Sequence, residues 1–288
     1  MEIAGNIRSS VFEFEQLSDN QFRKLSTYIF KNFGIKMPEE KRIILQCRLQ
    51  KRLRDLQLNS FKDYVDYVFS EDGQLKEVRP MMDLVSTNKT DFYRESDHFE
   101  LLADSVLSDI LDDPAFRLPM KIWSAGCSSG EEAYTIAFTL EEYRENIKYF
   151  DYKIYGSDIS ERIISRATEA IYPEDKIHAV SDTIKKKYML KSKDRINPTV
   201  RIRPDIRNKM LFRRENLMQE KFSVPDNLDV IFCRNVLIYF NRPTQEIVLK
   251  KLIARLRDGG FLFLGHSESI TNMNLPLAKV ATTVFKKY

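Results

Sequence analysis

The chain has 288 residues, of which 43% are hydrophobic and 31% charged, and its formal net charge is +4. This composition is that of a soluble globular protein, and no apolar run approaches the roughly 20 residues that would cross a membrane, so we expect no membrane insertion. The three cysteines and three histidines lie too far apart for a disulfide framework or a sequence-local metal motif, so we expect no metal site.

The N-terminal part of the chain is predicted to be a small all-helical domain. Over residues 18–69 the apolar side chains recur at helical spacing, and Gly34 with Pro38 marks one helix end and the next helix start. The stretch before it, residues 1–16, mixes charged with apolar residues unlike a secretory signal, so we expect a cytoplasmic protein. We place this domain at residues 1–95.

A linker helix is predicted at 95–113, and after Pro119 short apolar runs alternate with amphipathic segments. Such alternation is typical of an α/β domain with a mostly parallel sheet and helices on both faces, which we place at 114–288. A stretch rich in β-branched residues interrupts it and predicts a small β-subdomain inserted at 172–209. The predicted strands are 121–125, 153–157, 210–213, 229–233 and 261–265, and the predicted helices between them are 131–143, 160–170 and 244–257.

The loop between the first predicted strand and its helix, residues 124–134, is a candidate ligand site. Small residues such as Gly126 and Gly130 let a ligand approach the backbone, and the helix N-terminus supplies unpaired N–H groups. The pattern suits a nucleotide-like cofactor. An ordinary strand-to-helix turn also needs glycine, so this segment alone does not decide between the two.

Polar side chains follow the later predicted strands, at the edge where open α/β sheets bind their ligands: Asp158, Asn216, Arg234 and Asn235. A carboxylate at Asp158 is suited to accept hydrogen bonds from both hydroxyls of a ribose. The alternative is a helix cap by Asp158 or Ser160. Polar residues at several successive strand ends are harder to explain by packing alone, and their conjunction favours a cofactor site.

Six ordered segments carry a family resemblance. They are Asn88 to Arg94 (NKTDFYR), 123–132 (WSAGCSSGEE), Asp158 with Ile159, Asn216 with Leu217, 233–240 (CRNVLIYF) and 265–268 (GHSE). In order and spacing they resemble the CheR family of chemotaxis receptor methyltransferases, over nearly the whole chain. The resemblance implies a Rossmann-like S-adenosylmethionine-dependent methyltransferase fold with an inserted β-subdomain, behind an all-helical N-terminal domain.

The resemblance also implies an activity, protein-glutamate O-methyltransfer. A methyl group would pass from S-adenosylmethionine to glutamate carboxylates on the cytoplasmic helical bundle of chemoreceptors, giving glutamyl methyl esters and S-adenosylhomocysteine in chemotactic adaptation. Arg94 and Tyr239 would be the catalytic residues, although without the resemblance an aromatic side chain covering a sheet edge is the favoured interpretation of Tyr239. The cofactor would be lined by Asn88, Thr90, Arg94, Gly126, Glu132, Asp158, Asn216, Leu217, Arg234 and Asn235.

Methyl transfer to a carboxylate requires little acid–base catalysis by the protein. A glutamate with a pKa of about 4.3 is already an anion at neutral pH, so no general base is needed and alignment dominates. Arg94 is therefore predicted to position the acceptor carboxylate through two hydrogen bonds. Cys127 and Cys233 are predicted to be small buried apolar side chains rather than nucleophiles.

Two strongly basic segments interrupt an otherwise acidic chain. Residues 185–214 hold 12 Lys or Arg against two Asp, and residues 41–54 hold six positive charges and no negative one. Both predict an acidic macromolecular partner. On a helix beginning near Pro38, the receptor-binding candidates Lys41, Arg48 and Arg52 share one face, although a solvated helix face explains them equally well.

Three further hypotheses concern partners. The charge of 185–214 also suits a nucleic-acid methyltransferase, but the motifs that such enzymes carry after the fourth strand are missing, so we expect no nucleic acid. Family members that bind a receptor C-terminal pentapeptide have glycines in a turn of the insert; residues 191–200 have none and include Pro198, which makes that tether doubtful. A receptor-binding adaptor that holds the cofactor without turnover stays open.

Overall fold

The computed structural model describes residues 16–145, 147 and 149–288. The prediction that 1–16 is no secretory signal therefore lies, except for Gln16, outside the described residues. The chain divides into two compact units. The first comprises the described residues up to Ile29 together with Met37–Val85, and the second comprises Phe30–Lys36 together with Ser86–Tyr288.

The first unit is all-helical, as predicted. Leu45, Leu49 and Leu53 recur every fourth residue and form the buried stripe of its second helix. Ser60 and Ser70 each accept a hydrogen bond from a backbone N–H three residues on, which caps the two helices that follow. The helices are α1 (Asp19–Phe33), α2 (Arg42–Asp55), α3 (Phe61–Val68), α4 (Glu71–Lys76) and α5 (Val78–Val85), with a 3₁₀ turn at Glu39–Lys41 before α2.

The second unit opens with the predicted linker helix. It runs as α6 (Asp97–Leu101), a π-helical turn (Leu102–Val106) and α7 (Leu107–Leu111). The elements that follow are β1 (Met120–Ala125), α8 (Glu131–Arg144), β2 (Tyr152–Asp158), α9 (Glu161–Glu169), β3 (Ile171–Pro173), α10 (Asp182–Tyr188), β4 (Met189–Lys191), β5 (Thr199–Ile202), α11 (Pro204–Arg207), β6 (Met210–Arg214), β7 (Leu228–Cys233), α12 (Arg242–Arg255), β8 (Leu256–Leu264), β9 (Leu277–Ala281) and β10 (Val284–Lys287).

The main sheet has seven strands in the order β6-β2-β1-β7-β8-β10-β9. The first five are parallel, and β10 and β9 continue the sheet antiparallel. All five predicted strands are confirmed. The predicted helix 244–257 is wrong at its end, since α12 stops at Arg255 and the chain passes directly into β8. Strands β9 and β10 were not predicted, because they are short and only partly buried.

Alternation along the strands divides the core into two layers. Ile122 of β1 and Val230 of β7 face a cluster that includes α8, while Trp123 and Ile231 face a cluster that includes α12. Cys127 and Cys233 are buried, as predicted. Helices therefore cover both faces of the sheet. No helix within the described ranges is long and apolar enough to span a bilayer.

The predicted insert is a three-stranded antiparallel sheet in the order β3-β5-β4. It is less β-rich than expected, because α10, α11 and a 3₁₀ turn at Glu174–Ile177 also belong to it. Tyr188 of α10 stacks on Phe138 of α8 at 5.6 Å between ring centroids. The insert therefore shares the core of the sheet rather than standing apart from it.

Candidate functional site

The loop after β1 turns sharply against the end of β7. Gly126 has a φ of +88°, and a Cβ there would lie 2.3 Å from Cγ2 of Val236, so only glycine fits. The Gly126 and Cys127 N–H groups both donate to the Ser157 carbonyl, at 2.7 and 2.8 Å. Gly130, with a φ of +97°, is the N-cap residue of α8 and offers no side-chain cap, so the N-terminus of α8 directly follows the loop.

Asp158, at the end of β2, holds this loop in place. It is 9% exposed and accepts hydrogen bonds from the backbone N–H groups of Ser128 at 3.1 Å and Ser160 at 3.0 Å. Ser160 is the actual N-cap of α9, since its hydroxyl accepts from Ile163. A carboxylate offers about four acceptor positions, so a group of this kind is chemically suited to accept hydroxyl donors as well as backbone N–H groups.

The segment 88–95 reaches the same loop from outside the sheet. The Ser128 hydroxyl donates to the Asn88 carbonyl at 2.9 Å, and Asn88 itself is half-buried. Thr90 is also half-buried, whereas Arg94 is exposed and donates from Nη1 to the Lys89 carbonyl at 3.2 Å. The segment thus presents an accessible guanidinium beside the loop.

Arg234 is the centre of a buried ionic cluster. Its side chain is 2% exposed and lies 3.0 Å from Glu95 and 3.4 Å from Glu132, and Nη2 also donates to the Arg94 carbonyl. Burial raises the pKa of Glu132 although Arg234 and the Ser124 hydroxyl oppose that effect. Burial also acts to raise the pKa of Glu95, but hydrogen bonding to Asn235 and the Arg234 charge together lower it below its ordinary value. One buried cation therefore pairs with two half-buried carboxylates.

Glu268, to which sequence reasoning assigned no role, organises the turn after β7. It is 6% exposed and accepts four backbone N–H groups, from Gly265 at 2.6 Å, Asn235 at 3.0 Å, Val236 at 2.9 Å and Leu237 at 2.7 Å. Burial raises its pKa despite these bonds. The available signal was its place in the GHSE segment.

Glu95 was also missed, although it directly follows the predicted Arg94. Its carboxylate accepts from Arg234 through Oε2 and from Asn235 through Oε1, the latter at 3.1 Å. These partners are about 140 residues away in sequence, so no local pattern indicates the pairing.

Asn216, Leu217 and Tyr239 lie on the loops that follow β6 and β7. The Asn216 side chain accepts from Met218 N–H at 3.0 Å and donates to the Asn32 carbonyl at 2.9 Å. Leu217 is 8% exposed and packs in the cluster under α12. Tyr239 is half-buried at the end of a 3₁₀ turn, Leu237–Tyr239.

Comparison with known proteins decides the family. Residues 88–286 match the family described as CheR methyltransferase, SAM binding domain, and residues 20–84 match CheR methyltransferase, all-alpha domain. The chain belongs to the CheR methyltransferase family. Proteins named chemotaxis protein methyltransferase are 35% identical in Borreliella burgdorferi, over 92% of this chain and 94% of that one, and 32% identical in Escherichia coli, over 93% and 91%. Chemotaxis protein methyltransferase 2 of Pseudomonas aeruginosa is 35% identical, over 92% and 91%.

This CheR-family protein is an S-adenosylmethionine-dependent methyltransferase, and its residues fit the cofactor. The glycine at 126 is a close-approach position, Asp158 offers acceptors suited to a ribose, and the N-terminus of α8 follows the loop without a side-chain cap from Gly130. The half-buried carboxylate of Glu132 accepts a hydrogen bond from the Ser124 hydroxyl at the end of β1 and is paired with Arg234. These groups supply the acceptors and the negative charge that a sulfonium nucleoside needs.

The three receptor-binding candidates lie in the first unit of the CheR-family chain. The helix predicted to begin near Pro38 starts there as the 3₁₀ turn Glu39–Lys41 and continues as α2 from Arg42. Arg52 is 17% exposed and binds the buried Glu77 through two hydrogen bonds of 2.8 and 2.7 Å, and Arg48 donates to the Val85 carbonyl. Both guanidinium groups therefore stabilise their own unit.

One cluster resembles a metal site in its donor set. Glu95, His98 and His266 place a ligand atom each within 4.8 Å of one another. Both Glu95 oxygens, however, already accept from Arg234 and Asn235, and the Arg234 charge opposes a cation there. We therefore assign no metal to this cluster, and the metal-free expectation stays a prediction.

Proposed function

We propose that this protein transfers the methyl group of S-adenosylmethionine to glutamate side-chain carboxylates on the cytoplasmic helical bundle of chemoreceptors. The products would be glutamyl methyl esters and S-adenosylhomocysteine, formed in the cytoplasm during chemotactic adaptation. The three relatives are named chemotaxis protein methyltransferases, which supports a protein of chemotaxis as the methyl acceptor. The observation that carries the proposal is the exposed Arg94 beside the loop at 124–134. Its carbonyl accepts a hydrogen bond from the buried Arg234, which holds it there.

The residues divide the work of binding and positioning. Asp158 would accept the ribose hydroxyls, Asn216 and Leu217 would border the adenine, and Glu132 would lie towards the positive end of the cofactor. The bound cofactor supplies an activated methyl group together with its own leaving group. Asn88, Thr90 and Asn235 would complete the lining around the loop at Gly126.

Arg94 and Tyr239 would act on the acceptor. A guanidinium holds a carboxylate through two parallel hydrogen bonds, which fixes one carboxylate oxygen towards the methyl group. Because the acceptor glutamate is ionised at neutral pH, the site needs no group to remove a proton. Tyr239 would orient the same carboxylate through its hydroxyl. Catalysis would come mainly from this alignment and from loss of water around the two opposite charges.

The domains of the chain would have different roles. Residues 1–95 would contact the receptor through Lys41, Arg48 and Arg52, with 95–113 as the linker helix and 114–288 as the methyltransferase domain. Arg48 and Arg52 already form hydrogen bonds within the first unit. A receptor would therefore contact them together with the other exposed side chains of α2. The insert at 172–209 would act without a pentapeptide tether.

The insert gives little support to a nucleic-acid substrate. Several of its cations are neutralised by neighbouring acids: Lys187 by Glu142 and Glu145, Lys191 by Glu174, and Lys209 by Asp151. Binding to a phosphate backbone depends on unpaired basic side chains. The net charge counted along this segment is therefore larger than the positive charge that its surface leaves unneutralised.

Incubation with radiolabelled S-adenosylmethionine and receptor-containing membranes tests the proposal. We expect base-labile label on the receptor, and a loss of about 100-fold in kcat/KM for Arg94→Ala. Arg117→Ala is the matched control, because Arg117 is also an exposed arginine that donates to backbone carbonyls of the second unit. Unchanged transfer by the Arg94 variant would contradict the role given to Arg94, and label only in nucleic acid would contradict the substrate.

A further inference from the structure

The last four residues of α1 and the three residues after it belong to the second unit. The segment Phe30–Lys36 groups with Ser86–Tyr288, although the chain before and after it belongs to the first unit. Its centre is Gly34, which is buried and has a φ of +72°. The Gly34 N–H donates to the Phe30 carbonyl at 2.8 Å, the usual way for a left-handed residue to end a helix.

Gly34 is also a point of close approach. A Cβ at this position would lie 2.8 Å from Sδ of Met218 and 2.8 Å from the ring of Phe240. Met218 directly follows the Asn216–Leu217 pair, and Phe240 directly follows Tyr239. The helix end therefore sits against both loops that carry the proposed adenine-bordering and acceptor-orienting residues.

Two hydrogen bonds flank this contact. The Asn32 carbonyl, in the last turn of α1, accepts a hydrogen bond from the Asn216 side chain at 2.9 Å. On the other side, the Lys36 N–H donates to the Tyr239 carbonyl at 2.8 Å. Both bonds use backbone atoms of the segment, so they fix position whatever side chains the segment carries.

The two loops come from separate strands of the sheet. Strand β6 is at the edge and β7 is three places further in, with β2 and β1 between them. Phe30–Lys36 bonds to the loop after each, so it sets the spacing between Asn216 and Tyr239. The segment contacts the two loops through backbone atoms and through Gly34, which makes its role positioning rather than catalysis.

We propose that Phe30–Lys36 is a positioning strap for the cofactor site, in which Gly34, the Asn32 carbonyl and the Lys36 N–H hold the loops at Asn216 and Tyr239 in register. This inference rests on the proposed assignment of those two loops to the cofactor and acceptor. Because small displacements of positioning groups weaken binding and catalysis strongly, the strap controls affinity for the nucleoside without touching it.

Calorimetric binding of S-adenosylhomocysteine to Gly34→Ala tests the strap. We expect a Kd raised by about tenfold or more. The matched control is Gly259→Ala, which has the same backbone penalty, with a φ of +76°, but whose Cβ would meet only Asp113 and the flexible ends of Arg257 and Lys286. An equal Kd for the two variants, both folded, would overturn the proposal.

Hydrogen exchange of the native protein is a second test of the strap. In the native protein, S-adenosylhomocysteine should slow hydrogen exchange of the Lys36 amide together with the 216–219 and 236–240 loops, because the Lys36 bond tightens when those loops are fixed. If exchange slowed in the two loops but not at the Lys36 amide, the strap proposal would be wrong, whereas the proposed function would be unaffected. Failure of S-adenosylhomocysteine to bind at all would overturn both the strap and the proposed function.

Discussion

The guanidinium of Arg234, 2% exposed, lies 3.0 Å from Glu95, a residue that follows Arg94 on the segment entering the site. The same group reaches Glu132 on α8, so one buried cation joins the end of β7, the start of α8 and the 88–95 segment. A buried charge that loses its partner is strongly unfavourable. The integrity of the cofactor site should therefore depend on Arg234 as much as on any residue that touches the cofactor.

Arg234→Met should lower the free energy of unfolding of the second unit by about 3 kcal/mol, because the half-buried carboxylates of Glu95 and Glu132 would lose their charged partner. Urea denaturation followed by the fluorescence of Trp123, the single tryptophan, which is fully buried in this unit, measures the change. Arg255→Met, which breaks a surface pair with Asp226, should cost less than about 1 kcal/mol. Equal losses would show that the Arg234 cluster is not stabilising.

Asp158→Asn should weaken S-adenosylhomocysteine binding by tenfold or more, because an amide offers one acceptor oxygen where the carboxylate offers two. The sharper readout compares S-adenosylhomocysteine with an analogue that lacks the ribose hydroxyls. Removing those hydroxyls should reduce affinity much more in the native protein than in the variant. Independent, additive losses would mean that Asp158 does not bind the ribose.

His98 should make stability depend on pH. It is 1% exposed, its Nε2 lies 3.0 Å from the Thr283 hydroxyl, and burial, together with the charge of Arg234, lowers its pKa to about 4. Between pH 6.5 and 4 the unfolded chain binds the proton and the folded chain does not, so stability should fall as pH falls through this window.

The slope from His98 is at most about 1.4 kcal/mol per pH unit. His98→Gln should flatten the stability profile between pH 4 and 6.5, whereas His178→Gln, at an exposed histidine, should leave it unchanged. Thermal denaturation across this range measures both. Identical profiles for His98→Gln and the native protein would contradict the buried, neutral state of His98.

Arg52→Met should destabilise the first unit by about 3 kcal/mol, because Glu77 is 1% exposed and would lose its charged partner. Hydrogen exchange of the α2 amides should rise accordingly. Arg54→Met, at an exposed position of the same helix, is the control and should leave exchange unchanged. If Arg52→Met leaves exchange unchanged yet abolishes receptor methylation, Arg52 contacts the receptor directly.

The sequence predicted the site residues whose positions follow from a repeating apolar pattern. Strand ends after β1, β2 and β7 were located by apolar runs, which is why Gly126, Asp158 and Arg234 could be proposed together. Pairings over long separations were not accessible in this way. Arg52 with Glu77 and Arg234 with Glu95 depend on tertiary packing, and charge patterning along α2 pointed instead to a solvent-facing ridge.

The edge of the sheet and the insert show the same limit. Strands β9 and β10 are five and four residues long and partly exposed, so they carry too little periodicity to stand out. In the insert, the alternation at Val200 and Ile202 correctly indicated β5, but the basic run of α10 hid a helix whose apolar residues pack on the sheet. Gly34 was recognised as a helix end, and its contacts with Met218 and Phe240 required the fold.

The central claim is methyl transfer from S-adenosylmethionine to receptor glutamates, and tandem mass spectrometry of the treated receptor tests it most directly. Purified protein, labelled cofactor and chemoreceptor cytoplasmic domain should give label on glutamate side chains as base-labile methyl esters, and none without the protein. Stable label on lysine, arginine or a chain terminus, or no label on the receptor while S-adenosylhomocysteine still binds, would contradict it.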